Sequence, residues 1–378
     1  MTALRDVKIS RGRGEMSALP QAGHGDTRWY CSKHVIFIPV DGTIIAVNCA
    51  SNKRFRVATE VVELLTASSG GASEEELRQK FPHLRSQMLG LLQDLEQSGL
   101  LHKGEEVPQS PKEWALWSSF ELMVQHQAHE GGLRCSRPEW GPSPERKDYP
   151  DKRRTQLGNI PLPSKEFGSL LKERRSIRDY TANVPLTLTE LTAFLGASAQ
   201  VSGRIGRAGA QTTLRPSPSA GARHGLELYL MCRNVIGLEQ AVYHYDPFMH
   251  DLVRVGEWNA DTDDLMDRLI CRSAMLQAPP DVAVFITAVM DRVLWKYERL
   301  GLLAVYRDAG CLLQTMYLVA TCLDLAPCAV AATTGPKMPS FVGAHPMQEI
   351  HVASMALGIP AHRDTQVDRC LSDSEASV

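Results

Sequence analysis

"LGLLAVYRDAGCLLQTMYLVATCLDL", residues 300–325, carries an apolar stripe at helical spacing through more than twenty positions. That spacing predicts the longest helix of the chain and the spine of a domain. Its neighbours decide what covers it. Upstream, "PPDVAVFITAV" (279–289) has the length and content of a fully buried strand. Downstream, "APCAVAATTG" (326–335) reads as a second buried strand with a Gly-containing exit, and "MQEIHVASMALG" (347–358) closes the sheet. Earlier still, "KEFGSLLKERRS" (165–176) is helical, and "LTLTELTAFLGASAQ" (186–200) is a helix capped by Thr187 with Glu190 three positions on. "GLELYLMC" (225–232) alternates like a half-buried strand, "YHYDP" (243–247) belongs to a hairpin, and "DTDDLMDRLICRSAML" (261–276) is a helix. Helices and strands are mixed without regular βαβ alternation. That favours an α+β sheet packed by helices over a doubly wound fold.

The first hundred residues form a separate pattern. Residues 1–28, rich in Arg, Gly and Ser, read as a flexible tail. "HVIFIPVDGTIIAVN" (34–48) is two apolar runs around Asp41-Gly42, a hairpin signal. "VATEVVELLTA" (57–67) has helical spacing, Ser73 and Glu76 form a capping box, and Leu84, Met88, Leu91, Leu92 and Leu95 share a stripe that stops at Gly99. A hairpin followed by three short helices predicts a winged-helix-like domain over 29–105. Residues 106–161, rich in proline and charge, read as a linker with a possible helix at 112–130. The larger unit is expected over 162–370 and a short tail over 371–378. No fixed-period repeat is present.

Composition removes several function classes. The 378 residues include 41 Lys+Arg against 43 Asp+Glu, so the basic surplus of a general nucleic-acid binder is missing. No apolar run approaches the roughly 18 residues of a membrane span, and the polar start "MTALRDVKISRGRGEMSALP" lacks a secretory h-region. Nine cysteines without a C-x-x-C pair read as reduced thiols of a cytoplasmic protein. The histidines of "HQAH" (126–129) and "HYDPFMH" (244–250) lack companions at metal spacing, so no metal is expected.

Three stretches can carry chemistry. "LLKERRSIRDY" (170–180) puts Arg174, Arg175 and Arg178 into five positions. They complement the negative end of a helix, or Arg174, Arg178 and Ser176 clamp a phosphate, whose oxygens a guanidinium bonds bidentately. "RPSPSAGARHGLELYL" (215–230) is an ordinary turn into a strand, or a stiff loop whose hydroxyls meet a polar ring edge, with Gly221 allowing close approach. "WKYERLGLLAVYRDAG" (295–310) sets Lys296 and Tyr297 beside apolar Val293, Leu294 and Trp295. The pair lies on the surface, or the lysine has a lowered pKa and acts as a general base.

In this order the stretches resemble one family. "RRS-x-R-x-Y", "PS-x-S-A-G-A-R" before an E-x-Y strand, and "WKY" followed by "YRDAG" look like the SagB-type dehydrogenases, a branch of the flavin-dependent nitroreductase superfamily. "GLEQAVYHYDP" (237–247) matches the branch's G-x-Y-x-Y-D-P hairpin, departing by Ala-Val before Tyr243. The resemblance covers about 165–370 and, more faintly, 29–105. It implies a nitroreductase-like fold, a mixed sheet packed by helices, in an intertwined homodimer with FMN at the interface. Arg174, Arg175, Ser176 and Arg178 would then meet the FMN phosphate or the pyrimidine carbonyls, with Ser217, Ser219 and Gly221 contributed by the partner subunit. "CAVAATTG" resembles the segment whose backbone approaches flavin N5, with Ala331 and Ala332 where nitroreductases often carry glycines. A late basic residue, Arg363 or Arg369, would complete the phosphate site.

The resemblance also implies a reaction. The branch oxidises thiazolines and oxazolines in peptides to thiazoles and oxazoles, after a cyclodehydratase has made the azoline. Its Lys-Tyr pair maps onto Lys296 and Tyr297, with Lys296 as base and Tyr297 as hydrogen-bond partner or alternative base. The azoline would sit on a ribosomal peptide or on a carrier protein. Two alternatives stand beside this reading: an NAD(P)H-dependent nitroreductase-type reductase, and a non-catalytic flavin- or peptide-binding scaffold. The N-terminal domain would recognise peptide or partner, or serve only dimer packing.

Overall fold

Asp41 and Gly42, with φ of 46° and 74°, turn the chain back on itself and fix its first hairpin. Left-handed φ at both turn positions follows the twist of paired strands, which is why Asp-Gly suits this place. The computed structural model describes residues 5–6, 27–104, 117–130, 139, 141–206 and 211–361. Two compact units divide the chain, residues 1–130 and 131–378.

The first unit contains β1 (Arg28–Cys31), β2 (Val35–Val40), β3 (Thr43–Asn48) and β4 (Lys53–Val57). Then come α1 (Thr59–Ala67), α2 (Glu74–Lys80), α3 (Met88–Gln97), β5 (Leu101–Gly104) and α4 (Ser119–Glu130). Strands β2, β3 and β4 form an antiparallel meander, and β1 pairs with β5. The capping box starts α2 as the sequence reads: Ser73 Oγ accepts from Glu76 N at 3.2 Å and Glu76 accepts from Ser73 N at 2.8 Å. Leu64, Leu77, Met88, Leu92 and Leu95 are completely buried in one core with Trp29 and Phe55. Helix α4 packs Leu122 and Met123 against Ile45, Val47 and Cys49. Of the tail expected over 1–28, Arg5–Asp6 pairs in parallel with β4 and Arg28 lies in β1; the others up to residue 26 are outside the described residues.

The second unit is built on one sheet. Its elements are β6 (Arg154–Gln156), α5 (Phe167–Glu173), α6 (Leu188–Ala199), β7 (Leu226–Cys232), β8 (Ala241–Asp246) and β9 (Asp251–Glu257). They continue with β10 (Val282–Val289), α7 (Met290–Leu294), α8 (Gly301–Cys322), β11 (Ala326–Val330) and β12 (Glu349–Gly358). The strand order is β11-β12-β10-β7-β8-β9-β6. All six pairings are antiparallel, where a mixed sheet was the expectation; among the described residues of this unit, parallel pairing is confined to Val235–Ile236 with Leu186–Thr187. Strand β12 lies inside the sheet, with β11 outside it.

Helices cover both faces. Leu191, Phe194 and Leu195 of α6 and Val305, Leu312 and Met316 of α8 pack on one side. Met266, Leu269, Ile270 and Phe341 pack on the other. Strand β7, read as half-buried from its alternation, is therefore buried along six of its seven residues. Each large apolar side chain so enclosed contributes about 1.5–3 kcal/mol. The helix expected over 261–276 forms as Ala260–Asp264 running into π-helical Leu265–Arg272. No helix of the described residues is long and apolar enough to cross a membrane.

Part of the expected linker is fixed in this unit. The helix read within 106–161 is α4, but residues 141–156 run onto the sheet. Lys147 reaches Glu349 at 2.5 Å and donates to Tyr229 Oη at 2.6 Å. Arg146 pairs with Asp246 at 2.6 Å, Arg292 donates to the Pro144 carbonyl at 2.7 Å, and β6 pairs with β9. The charges that read as a solvated linker instead meet buried carboxylates. Glu227 lies in the same layer between Arg292 (2.6 Å) and His244 (2.7 Å). Burial alone would push its carboxyl up; the Arg292 charge and the His244 hydrogen bond hold it below the usual range.

Candidate active site

Helix α8 positions two groups of polar side chains, one toward each end. Toward its N-terminus Asp308 sits on the buried side. Its carboxylate accepts from Ser219 Oγ at 2.6 Å and from the Ala220 amide at 3.0 Å. Ser219 Oγ in turn accepts from the His224 amide at 2.9 Å. Burial pushes the Asp308 carboxyl up, against the pull of those hydrogen bonds. The loop so held is tightly wound: Gly221, Ala222 and His224 have φ of 60°, 54° and 44°. A run of left-handed residues costs free energy, and surrounding contacts must enforce it.

Those contacts come from the turn before α8. Lys296 and Tyr297 continue α7 by one turn, both amides donating to the Val293 carbonyl. Arg223 Nε donates to the Arg292 carbonyl at 3.0 Å, and Gly225 packs on Val293. The closest approach is at Gly221. A Cβ there would lie 2.5 Å from Lys296 Nζ and 2.7 Å from Tyr297 Oη. The amine also lies 5.3 Å from the centre of the Tyr297 ring. Gly221 is thus needed twice, for its φ and for the two polar tips against it. Chemically, this end offers a half-buried amine and a half-buried phenol beside exposed Gly221. Ser217 does not join them at the surface. It is buried and lines, with Arg215, Ser219, His224 and Asp308, a cavity of about 20 Å³, room for one water molecule.

Toward the C-terminus of α8 the centre is Tyr317. Its hydroxyl shares a 2.7 Å hydrogen bond with Ser176 Oγ and accepts from the Ala329 amide at 2.7 Å. Helix α5 ends at Glu173, and the arginines follow it outside any helix or strand. Arg174 lies over the Tyr317 ring, 5.3 Å from its centre, and Arg178 Nε donates to the Ala274 carbonyl at 2.9 Å. Arg175 and Arg178 are exposed. Among the described residues no carboxylate lies within 4.0 Å of any of the three guanidinium groups. Beyond β11, Ala331 and Ala332 leave the sheet exposed, two and three residues past the amide bonded to Tyr317.

The residues singled out in the sequence thus fall into two groups. Arg174, Arg175, Ser176 and Arg178 share one end with Ala331 and Ala332; Ser219 and Gly221 share the other with Lys296 and Tyr297. Asp308 and Tyr317, the anchors of the two ends, lie nine residues apart, or about 14 Å along the axis. Arg363 and Arg369 lie outside the described residues. Sequence reasoning missed Asp308 and Tyr317 as site-building residues. Asp308 was findable, as a carboxylate on a stripe otherwise formed by Ala304, Val305, Ala309 and Leu312.

Residues 171–359 match the Nitroreductase family model. A protein of Methanocaldococcus jannaschii described as a nitroreductase is 33% identical over 179 residues, 46% of this chain and 83% of that protein. Among solved structures, a protein of Anabaena variabilis described as a nitroreductase overlaps with a TM-score of 0.49 at 21% identity, over 68% of this chain and 50% of its own. The Escherichia coli microcin synthetase McbBCD, solved with truncated pro-MccB17 bound, overlaps with a TM-score of 0.42 at 20% identity, over 49% of this chain and 69% of its own. Overlaps of that size bear on neither substrate nor partner. The family match and the Methanocaldococcus relative suffice for one conclusion: this chain belongs to the Nitroreductase family.

Proposed function

We propose that the chain is an FMN-dependent oxidase that converts thiazoline or oxazoline rings of a peptide into thiazoles or oxazoles. The observation that carries the reading is the convergence of Lys296 Nζ and Tyr297 Oη on Gly221. Aromatising an azoline removes one C–H proton and one hydride, so the site needs a base beside a hydride acceptor. Lys296 serves as the base, and Tyr297 orients the amine or takes the proton itself.

The arginine end fits a bound FMN. Three guanidinium groups without a carboxylate partner among the described residues suit a phosphate, and Arg174, Arg175 and Arg178 would hold it. Ser176, tied to Tyr317, fixes the course of the segment between them. Bound there, FMN supplies the two-electron acceptor, regenerated by oxygen. With the two groups about 14 Å apart on one helix, the reading pairs the arginine end of one copy with the 217–221 loop of a second, in a homodimer. Exposed Leu302 and Tyr306 on α8 give that assembly an apolar face. A late arginine, Arg363 or Arg369, would add to the phosphate site. A cyclodehydratase would supply the azoline, on a ribosomal or carrier-bound peptide, in the cytoplasm; the first unit would bind the peptide.

The test is the product mass after incubation with an azoline peptide. A loss of two hydrogens per ring supports the reading, and an unchanged mass contradicts it. Family membership itself favours a second reading, NAD(P)H-driven reduction of a nitro compound. Consumption of NAD(P)H on adding a nitroaromatic, with azolines untouched, would establish that alternative.

A further inference from the structure

Four residues past the point where β11 leaves the sheet, the chain is tied back to it by a single side chain. The last β11–β12 pair is Val330 with Ser354. Ala331, Ala332 and Thr333 are exposed; then the Thr334 amide donates to His351 Nδ1 at 3.0 Å. His351 is on β12 and buried. A β-bulge re-aims it: the register with β10 shifts between Ile286, opposite Ala353, and Thr287, opposite His351. The imidazole lies flat on the Phe285 ring, with centroids 3.7 Å apart and planes 10° off parallel. Its Nε2 is 2.9 Å from the Ala353 carbonyl and 2.9 Å from Ser354 Oγ.

This geometry fixes the tautomer. Nδ1 accepts from an amide, so the proton is on Nε2, where the Ala353 carbonyl takes it. A neutral imidazole with both nitrogens committed and its face stacked cannot turn. We propose that His351 is a positioning residue: it sets where the Ala331–Thr334 segment stands relative to the bound flavin, without touching the flavin itself. The inference rests on the FMN reading above, together with the family resemblance that implies this segment approaches flavin N5. Burial keeps the ring neutral, with its pKa held down to about 4.

Two substitutions in the full-length protein test it. His351→Phe keeps a ring on Phe285 and removes the acceptor; His351→Asn returns an acceptor oxygen near the place of Nδ1. In flavin-free protein, amide exchange at Thr334 should quicken about tenfold in the Phe variant, the worth of one hydrogen bond, and recover in the Asn variant. In flavin-loaded protein the absorption maximum of the flavin should shift in the Phe variant and return in the Asn variant. Faster exchange with an unchanged flavin spectrum would overturn the inference and leave the FMN reading intact. Unchanged exchange would overturn it at its first step. A protein that binds no flavin in any form would overturn the FMN reading instead, and this inference with it.

Discussion

The two ends of α8 are built differently. At the N-terminal end the polar groups are already engaged with one another. Asp308 holds Ser219 and Ala220, and Gly221 lies against Lys296 and Tyr297. At the C-terminal end the structural contacts are complete around Tyr317, yet Arg175 and Arg178 stand exposed, without carboxylate partners among the described residues. One end is closed on itself and gathers its reactive groups against Gly221. The other presents charge that meets no carboxylate among the described residues. In the proposed enzyme this separates the proton-handling groups from the cofactor anchor, so a substitution at one end should leave the other's job largely unharmed.

The largest break in that separation is expected from Gly221→Ala. The new Cβ would displace both polar tips, and the alanine would have to adopt φ near 60°. A misplacement of that size costs about 10²-fold in turnover, and flavin content should fall with it, because the 217–221 loop faces the FMN of a second copy in the proposed dimer. Steady-state azoline oxidation and the flavin-to-protein absorbance ratio measure the two effects. Next in size, Arg174→Ala or Arg178→Ala should weaken FMN binding by roughly 1.5–3 kcal/mol, the worth of a charge-assisted hydrogen bond. Turnover at saturating FMN should be retained. Titration of flavin-free protein reads this directly, and two variants with wild-type affinity would remove the phosphate assignment.

A third effect is on stability against pH. His224, at the Lys-Tyr end, and His351, at the arginine end, both have pKa values lowered to about 4, chiefly by burial. Folded imidazoles are then neutral where unfolded ones, with ordinary pKa near 6.5, take up protons. Their contribution is present above about pH 6.5 and is lost as pH falls toward 4. Asp308, with its carboxyl pushed up, works in the opposite sense over the acidic part of that range. Urea midpoints should therefore fall between pH 7 and 4.5, and His224→Gln should flatten the slope. A slope unchanged in that variant would contradict the burial account of His224.

Much of the fold was legible from periodicity. The stripe over 300–325 became α8, "VAVFITAV" became a strand buried along its length, and Asp41-Gly42 closed the hairpin. Local chemistry suffices for such elements. The course of 141–156 was not legible, because proline and charge look the same in a solvated linker and in a segment that meets buried carboxylates. Strand β7 failed for a related reason: its alternation is real, but helices cover both faces of the sheet. At the site, motif spacing found Lys296, Tyr297 and Gly221 without showing that they touch. Tyr317 and His351 were hidden among apolar neighbours, since a hydrogen bond to a distant backbone amide leaves no local trace.

The separation of roles is tested most directly in Lys296→Ala, by measuring flavin content and azoline oxidation on the same purified sample. The account predicts a yellow protein with wild-type FMN content and a turnover lower by ~10²–10⁴-fold, the usual worth of a general base. A flavin-loaded variant with near-normal turnover, or one that has lost its flavin, would contradict it.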